Sequence, residues 1–225
     1  MVSISFFKFR KGKKWWAFKN VPAARTLLKN NPELTFAKFM GSGAGRGFSV
    51  RPDFNVYCLL LVFKDDKENK QKLLSNAAYQ LYANESKAQW NVMMQPIGAH
   101  GYWDKQQPFA TGVTELQTNQ QVGVITRASI KKKLMWQFWK FVPEVSKQIG
   151  QNREVIFSKG IGEAPLIEQA TFSIWPNQDA IKKFAYQGKN HAEAVKKTRQ
   201  LNWYSEELFA RFAIVETFGS NESFQ

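Results

Sequence analysis

The side chains that most often bind metals are scarce in this chain. Its 225 residues include two histidines, His100 and His191, and one cysteine, Cys58. Zinc and non-haem iron sites use three or more protein ligands, and His191 has no second His or Cys and no group of carboxylates near it in the sequence. A haem needs one protein ligand, because the porphyrin supplies four nitrogens. From the residues alone, His191 is open to two interpretations, a structural histidine at the start of a helix or a haem ligand.

Two other classes of site are not supported. The glycine-rich segment GSGAGRGF, residues 41–48, has Arg46 where the dinucleotide-binding pattern GxGxxG requires its third glycine, and a strand is predicted to follow it instead of a helix. No serine lies in a Gly-x-Ser-x-Gly segment, so hydrolysis by a nucleophile elbow is not expected.

The charge and the aromatic residues indicate the kind of partner. The formal net charge is +14 and the isoelectric point is near 9.8, which favours an acidic partner, either nucleic acid or an anionic membrane. The basic residues are scattered and no RNA-binding aromatic strand motif is present, so nucleic acid is not the expected partner. Basic residues stand beside tryptophans in Lys8–Trp16 and Lys131–Trp139, and we predict that both segments contact an anionic membrane.

The composition also bears on location and on the core. A single cysteine excludes an internal disulfide, no apolar run approaches 20 residues, and the N-terminus has no signal-peptide form. We therefore expect a cytoplasmic protein, either free in solution or peripheral on the inner face of the membrane. The 19 Phe, 8 Trp and 6 Tyr are explained either by a large aromatic core or by a cavity for a long apolar ligand.

An internal repeat predicts the elements that position these residues. VPAARTLLKNNPELTFAKFMG, residues 21–41, and VPEVSKQIGQNREVIFSKGIG, residues 142–162, align without a gap. Each copy indicates a helix with proline near its start, followed by a turn and a strand that ends at glycine. The surrounding periodicities predict the order βαββαβ twice, with one helix at about 66–83 in the first half. Lys38 and Lys159, which are equivalent in the repeat, are predicted to be exposed.

The predicted fold is therefore α+β, with two ferredoxin-like βαββαβ halves that form an intramolecular dimeric α/β barrel. The N-terminal half is predicted to span 1–105 and the C-terminal half 121–219, joined by a polar linker at 106–120. Residues 220–225 are predicted to be a disordered tail.

Several segments resemble one family, in order and over nearly the whole chain from Ile4 to Gly219. They are ISFFKF (4–9), FMGSGAGRGF (39–48), TRASI (126–130), FWKFVP (138–143), FSKGIGEAP (157–165), QATFSIWPN (169–177) and WYSEELFARF (203–212). The family is that of spheroidene monooxygenases, the carotenoid 2-ketolases. The predicted architecture is also similar to that of haem-binding α/β-barrel proteins such as aldoxime dehydratases and chlorite dismutases.

The resemblance implies a haem b enzyme that oxidises an acyclic carotenoid to a ketone with O₂ and an electron donor such as ferredoxin. It implies that His191, which precedes the WYSEELFARF segment, is the axial ligand. For such a site we predict distal donors among Arg127, Ser173 and Arg211, and cavity walls from Trp136, Trp139 and Trp175. The alternative is a haem- or apolar-ligand-binding barrel with another reaction, either an aldoxime dehydratase-like lyase or a non-catalytic binder.

Overall fold

The computed structural model describes residues 1–45, 49, 51–109, 116–117, 119–140, 152, 154–187 and 201–224. Within these residues eight strands form one closed antiparallel barrel in the order β1-β3-β2-β6-β7-β5-β8-β4. The strands are β1 (Val2–Lys8), β2 (Leu34–Gly43), β3 (Pro52–Phe63), β4 (Ala88–Gly101), β5 (Val122–Ile130), β6 (Phe157–Ala164), β7 (Glu168–Trp175) and β8 (Tyr204–Gly219). The helices are α1 (Lys14–Lys19), α2 (Val21–Leu27), α3 (Asn69–Ser75), α4 (Ala77–Ala83), α5 (described over 135–140) and α6 (Gln178–Gln187).

The predicted α+β barrel of two like halves is confirmed. The first half has the strand order β4-β1-β3-β2, and the second half has the matching order β8-β5-β7-β6. The helical residues 135–140 lie 121 positions after α1, and β6 lies within the range that the same offset gives for β2. The duplicated sequence therefore builds the same helix and strand twice, and the two sheets close on each other.

The two seams between the halves differ in length. Strand β4 pairs with β8 from Trp90 to Gly101, whereas β2 pairs with β6 through two residue pairs, Gly41 with Gly162 and Ser42 with Ile161. The short seam leaves a groove beside it, to which we return below.

The outer side of the first half is closely covered by helices. Side chains of β1, β2, β3 and α4 pack there around Tyr82, whose ring centroid lies 4.3 Å from that of Phe39. The predicted helix at 66–83 is two helices, because Asn76 has an extended backbone and its side chain accepts hydrogen bonds from the N–H groups of Ala78 and Tyr79. This cap starts α4 and ends α3. None of the described helices is long and apolar enough to cross a membrane.

The barrel interior is aromatic along its middle. Phe6 lies at its centre, with its ring near those of Trp90, Phe157 and Phe172. The prediction of a disordered tail is wrong for Glu222–Phe224, which form a 3₁₀ helix. Phe224 is 3% exposed and its ring lies 6.0 Å from that of Phe6, because an aromatic side chain that closes the barrel gains more from burial than the tail loses in freedom.

The prediction that Lys38 and Lys159 are exposed is also wrong. Both lie on the side of their strands that faces the barrel interior. Lys38 Nζ contacts the carboxylates of Asp104 and Glu163, the latter at 2.7 Å, and Lys159 Nζ lies 3.5 Å from Asp53 Oδ2. Carboxylates near the barrel ends supply the partners that allow these cations to be buried.

Candidate functional site on the outer face of the second half

The most distinctive surface of the second half is the side of its sheet that points away from the barrel interior, which we call the second-half outer face. Strand alternation and register align its residues in rows across neighbouring strands. One row runs Ser158, Ser173, Val124, Arg211, Gly98, and the next runs Gly160, Thr171, Thr126, Phe209, His100. Five strands thus contribute to one surface.

Two apolar clusters lie at opposite ends of this face. At one end, Trp175 packs with Val122 and Val124 of β5 and with Phe184 of α6, whose ring lies 5.1 Å away. At the other end, Phe138 and Trp139 of α5 pack with Ile130 and Trp203. Val122 and Ile130 are eight residues apart on one strand, which is about 26 Å. The helices are therefore anchored at both ends of the face.

Between the clusters the face is polar and partly open. Thr126, at the middle of the central strand β5, is exposed. The hydroxyls of Ser158 and Thr171 are buried, yet neither has a hydrogen-bond partner among the described residues. The repeat offset of 121 places Ser5 at the equivalent position of the first half, and Ser5 is 0% exposed beneath the helices. The same position of the duplicated fold is thus covered in one half and open in the other.

The structure brings two of the three predicted distal donors together. Ser173 and Arg211 both project onto the second-half outer face, in one row, separated by Val124. The Ser173 hydroxyl accepts a hydrogen bond of 2.9 Å from the indole N–H of Trp175. The Arg211 guanidinium lies over Gly98, where a Cβ would come within 3.1 Å of it, and it forms no ion pair with any described carboxylate. Within the described part of the chain, the Arg211 guanidinium therefore has no carboxylate partner on this face.

Arg127 does not join them, because its side chain points into the barrel. It forms ion pairs with Glu168 and Glu206 and lies 5.6 Å from the centre of the Trp103 ring. Burial favours a raised pKa for Glu206, but hydrogen bonds from the N–H groups of Lys105 and Asp104 and from Arg127 outweigh it and lower that pKa. The contacts of Arg127 are those of a structural ion-pair network that closes one end of the barrel.

The three predicted tryptophans have different environments. Trp175 and Trp139 are buried at opposite ends of the face, and the Trp139 indole N–H donates to the carbonyl of Leu166 at 3.0 Å. Trp136 is 74% exposed. The helical period explains the difference, since residues 135, 138 and 139 share the sheet-facing side of α5 and 136 lies on the other.

His191 lies outside the described residues. The described chain ends at Gln187 of α6 and resumes at Leu201, just before Trp203. Because α6 packs on the Trp175 cluster and Trp203 belongs to the Trp139 cluster, both ends of the intervening segment are anchored on the second-half outer face.

Sequence reasoning missed three residues of this face. His100 was not among the candidate site residues, yet it lies exposed on this face with its ring 5.4 Å from that of Phe209. Ser158 and Thr171 gave no signal, because hydroxyls on predicted strands are common and only the register shows that they share a surface with Arg211. The register between neighbouring strands is also needed to assign residues to the two rows.

Comparison with known proteins gives consistent results. No family model matches the chain. A curated spheroidene monooxygenase from Cereibacter sphaeroides is 34% identical over 223 residues, which are 98% of this chain and 68% of that protein. A spheroidene monooxygenase from Rhodobacter capsulatus is 31% identical over 98% of this chain and 92% of its own length. Among solved structures, an aldoxime dehydratase superposes with a TM-score of 0.61 at 6% identity, over 96% of this chain and 81% of its own. That likeness shows the fold.

Proposed function

The chain belongs to the spheroidene monooxygenase family and is therefore an oxidoreductase of the monooxygenase class, and we propose that it oxidises an acyclic carotenoid to a ketone with a haem b held on the second-half outer face. The observation that supports this location of the haem is the difference in exposure between Ser5 and Thr126, which occupy equivalent positions of the repeat. The equivalent position is fully covered in the first half and exposed in the second, and we place the flat group where the two halves differ in this way.

The described residues fit a haem in both polarity and charge. The buried hydroxyls of Ser158 and Thr171, like those of Ser3 and Ser5 in the covered half, have no partner among the described residues, so they are available to a bound group or water but do not mark the site by themselves. Arg211, which forms no ion pair with a described carboxylate, would offer hydrogen-bond donors to bound O₂, while Trp175 and Trp139 close the two ends. In this proposal His191 supplies the one axial ligand that a porphyrin requires. When bound, the haem supplies O₂ binding and the oxidation of a C–H bond.

The protein groups on this face have separate tasks in the proposal. Ser173 and Arg211 would donate hydrogen bonds to O₂ bound on this face, and His100 lies on the same surface. Two successive hydroxylations of one methylene each consume one O₂ and two electrons and release one water. The resulting gem-diol loses water to give the ketone. The electrons come from a reduced ferredoxin-like donor, and the substrate is delivered from an anionic membrane surface.

Replacement of His191 tests the haem assignment. The His191→Ala protein should lose the Soret band and the oxygenase activity, because the family resemblance assigns the iron ligand to His191 and not to His100. The matched variant His100→Ala should retain the Soret band, so that absorption spectra of the two reconstituted proteins separate ligand from non-ligand. A folded His191→Ala protein with an unchanged haem spectrum would refute the assignment.

The donors on the outer face are tested by activity at constant haem content. Arg211→Met and Ser173→Ala should retain the Soret band while turnover falls about 100-fold, the effect of removing one positioned donor. Ser173→Ala also removes the acceptor of the Trp175 indole, so its free energy of unfolding should fall by about 1 kcal/mol. Full activity in both variants would show that the chemistry lies elsewhere. A normal spectrum in the parent protein with no carotenoid oxidation would instead favour another reaction or a binding role.

A further inference from the structure

An exposed aromatic patch lies on the first half, away from the outer face described above. It is formed by Trp15 and Phe18 of α1 and by Phe54 of β3, which are 58%, 49% and 38% exposed. The three rings contact one another, with centroids 5.6 to 6.2 Å apart. Because the residues come from two elements 36 positions apart in the chain (54 − 18), the fold assembles this patch. We call it the aromatic patch.

Basic residues flank Trp15 and Phe18 of the aromatic patch in the sequence. The first 32 residues of the chain contain eight Lys or Arg and no Asp or Glu. The ammonium group of Lys14 lies 5.7 Å from the centre of the Trp15 ring, and Arg10, Lys11 and Lys19 are exposed on the adjoining segment. Among the described residues, Lys13 is the member of this segment with an ion pair, at 2.6 Å from Glu85. Most of the local positive charge is therefore available to an external partner.

A groove runs inward from the aromatic patch along the short seam between β2 and β6. It begins between Phe18 and Phe54, has a volume of about 140 Å³, and passes Ile161 to reach Leu166 and Gln169. Leu166 accepts the hydrogen bond of Trp139, and Gln169 lies on the second-half outer face. The groove thus connects the aromatic patch to the edge of the proposed haem site.

We propose that the aromatic patch docks on an anionic lipid bilayer, so that the groove behind it opens at the membrane and admits an elongated apolar substrate. This inference rests on the proposed function for the substrate class, while the docking itself does not depend on haem. Aromatic side chains are favoured at the level of lipid headgroups, and clustered lysines bind anionic leaflets. A protein partner would need a complementary acidic surface, and nucleic acid would need stacking groups along a basic groove. The groove beneath the patch is lined by Phe18, Val21 and Phe54 together with the charged side chains of Arg25 and Asp53.

The internal repeat supplies a matched control. Trp136 is the equivalent of Trp15 at the offset of 121, follows Lys131–Lys133, and is more exposed, at 74%. The equivalent of Phe18 is Trp139, which is buried against Leu166. The second copy thus has the charge and one exposed tryptophan without an exposed aromatic cluster in the described residues, and the groove beside its lysines is lined by Ile130, Leu134 and Ile167 with no aromatic side chain. Of the two segments predicted to contact a membrane, we assign docking to the first.

The test is co-sedimentation with vesicles of phosphatidylcholine, with and without about 30% phosphatidylglycerol, a composition chosen so that charge is the only variable. The parent protein should bind the anionic vesicles and lose binding as salt rises, because exposed charge is screened over ~10 Å at 0.1 M. The double variant Trp15→Ser/Phe54→Ser should bind at least about tenfold more weakly, which corresponds to ~1.4 kcal/mol. Trp136→Ser should bind as the parent does.

Two outcomes would overturn the proposal. Equal loss of binding in Trp136→Ser and in the patch variant would show that any exposed tryptophan suffices, and equal binding to neutral vesicles would remove the role of the basic residues. Circular dichroism and thermal unfolding confirm that each variant is folded before binding is compared. The vesicle assay uses no haem and no turnover, so it tests docking independently of the proposed function. If the protein does not bind vesicles but shows the Soret band, docking is refuted and the proposed function stands. If it binds vesicles but shows no Soret band, docking stands and the haem assignment is refuted.

Discussion

Replacing Arg127 by Met should strongly lower the free energy of unfolding, because Arg127 has a structural role and is not part of the proposed active site. The guanidinium is 3% exposed and forms ion pairs with Glu168 and Glu206, and Glu168 also accepts a hydrogen bond of 2.6 Å from the Ser129 hydroxyl. Methionine removes the cation and leaves both carboxylates in place. The cost is therefore that of partly buried charges without a partner.

The magnitude follows from the exposure of the partners. Removing one member of a fully buried ion pair costs about 3–5 kcal/mol. The side chains of Glu168 and Glu206 are 26% and 18% exposed, so water partly solvates them, and we expect a loss of about 2–3 kcal/mol. For a chain of this length that loss lowers the melting temperature by roughly 5–10 °C.

The loss should depend on pH in one direction. The pKa of Glu206 is lowered in the folded protein by Lys105 and Asp104 N–H groups and by Arg127, against the effect of burial. A lowered carboxyl pKa contributes stability that is present above the unfolded pKa and is lost as pH falls through the folded value. The difference between parent and variant should therefore be largest near pH 7 and should shrink towards pH 4, where a protonated carboxyl no longer requires a cation.

Urea unfolding at several pH values measures this difference. The matched control is Arg211→Met on the opposite face of the same sheet, which has no described carboxylate partner and should change stability by less than about 0.5 kcal/mol. The reasoning is refuted if Arg127→Met is as stable as the control, or if its loss is the same at pH 7 and at pH 4.

Two further predictions concern the barrel ends. Phe224→Ala should lower the free energy of unfolding by about 3 kcal/mol, because Phe224 is 3% exposed and packs against Phe6. The control Glu222→Ala, at an exposed position of the same turn, should change the free energy of unfolding little. Equal effects of the two substitutions in urea unfolding would contradict the packing of the tail on the barrel. Lys159→Met should raise the free energy of unfolding at neutral pH, because burial lowers the pKa of Lys159 by more than Asp53, 3.5 Å away, raises it, so the charged ammonium is disfavoured even beside its partner. The extra stability of Lys159→Met over the parent should shrink at alkaline pH. The unfolded parent holds a proton on Lys159 that the folded parent releases, so the parent becomes more stable as pH rises. A difference that stays constant across pH would show that the pKa of Lys159 is not lowered.

The sequence was sufficient to predict the barrel and insufficient to predict the layout of the site. The ungapped repeat specified two equal βαββαβ units, and two half-covered sheets have one simple way to bury their open sides. The break at Asn76 was not predicted, because the apolar pattern continues through it and an Asn within a helix pattern has no unique meaning until its side chain finds the N–H groups of a following turn.

The separation of Arg127 from Ser173 and Arg211 has a different origin. Alternation assigns two faces to each strand, but it does not say which face of β5 matches which face of β7 and β8, because that depends on register. The exposure of Thr126 likewise depends on how the second-half helices are anchored, with Trp175 and Trp203 holding the two ends. Only tertiary packing distinguishes it from Ser5, which stands at the same position of the repeat.

The unequal seams have a consequence for how this architecture can change. In a barrel assembled from two identical chains, twofold symmetry makes both seams the same, so a gap at one is a gap at both and weakens the assembly twice. Fusion of the halves removes that constraint. The long seam between β4 and β8 can carry the cohesion of the barrel, while the two-pair seam between β2 and β6 is free to diverge. Insertions or substitutions beside Gly41 and Gly162 can then reshape a groove in one place without a penalty on the opposite side of the molecule.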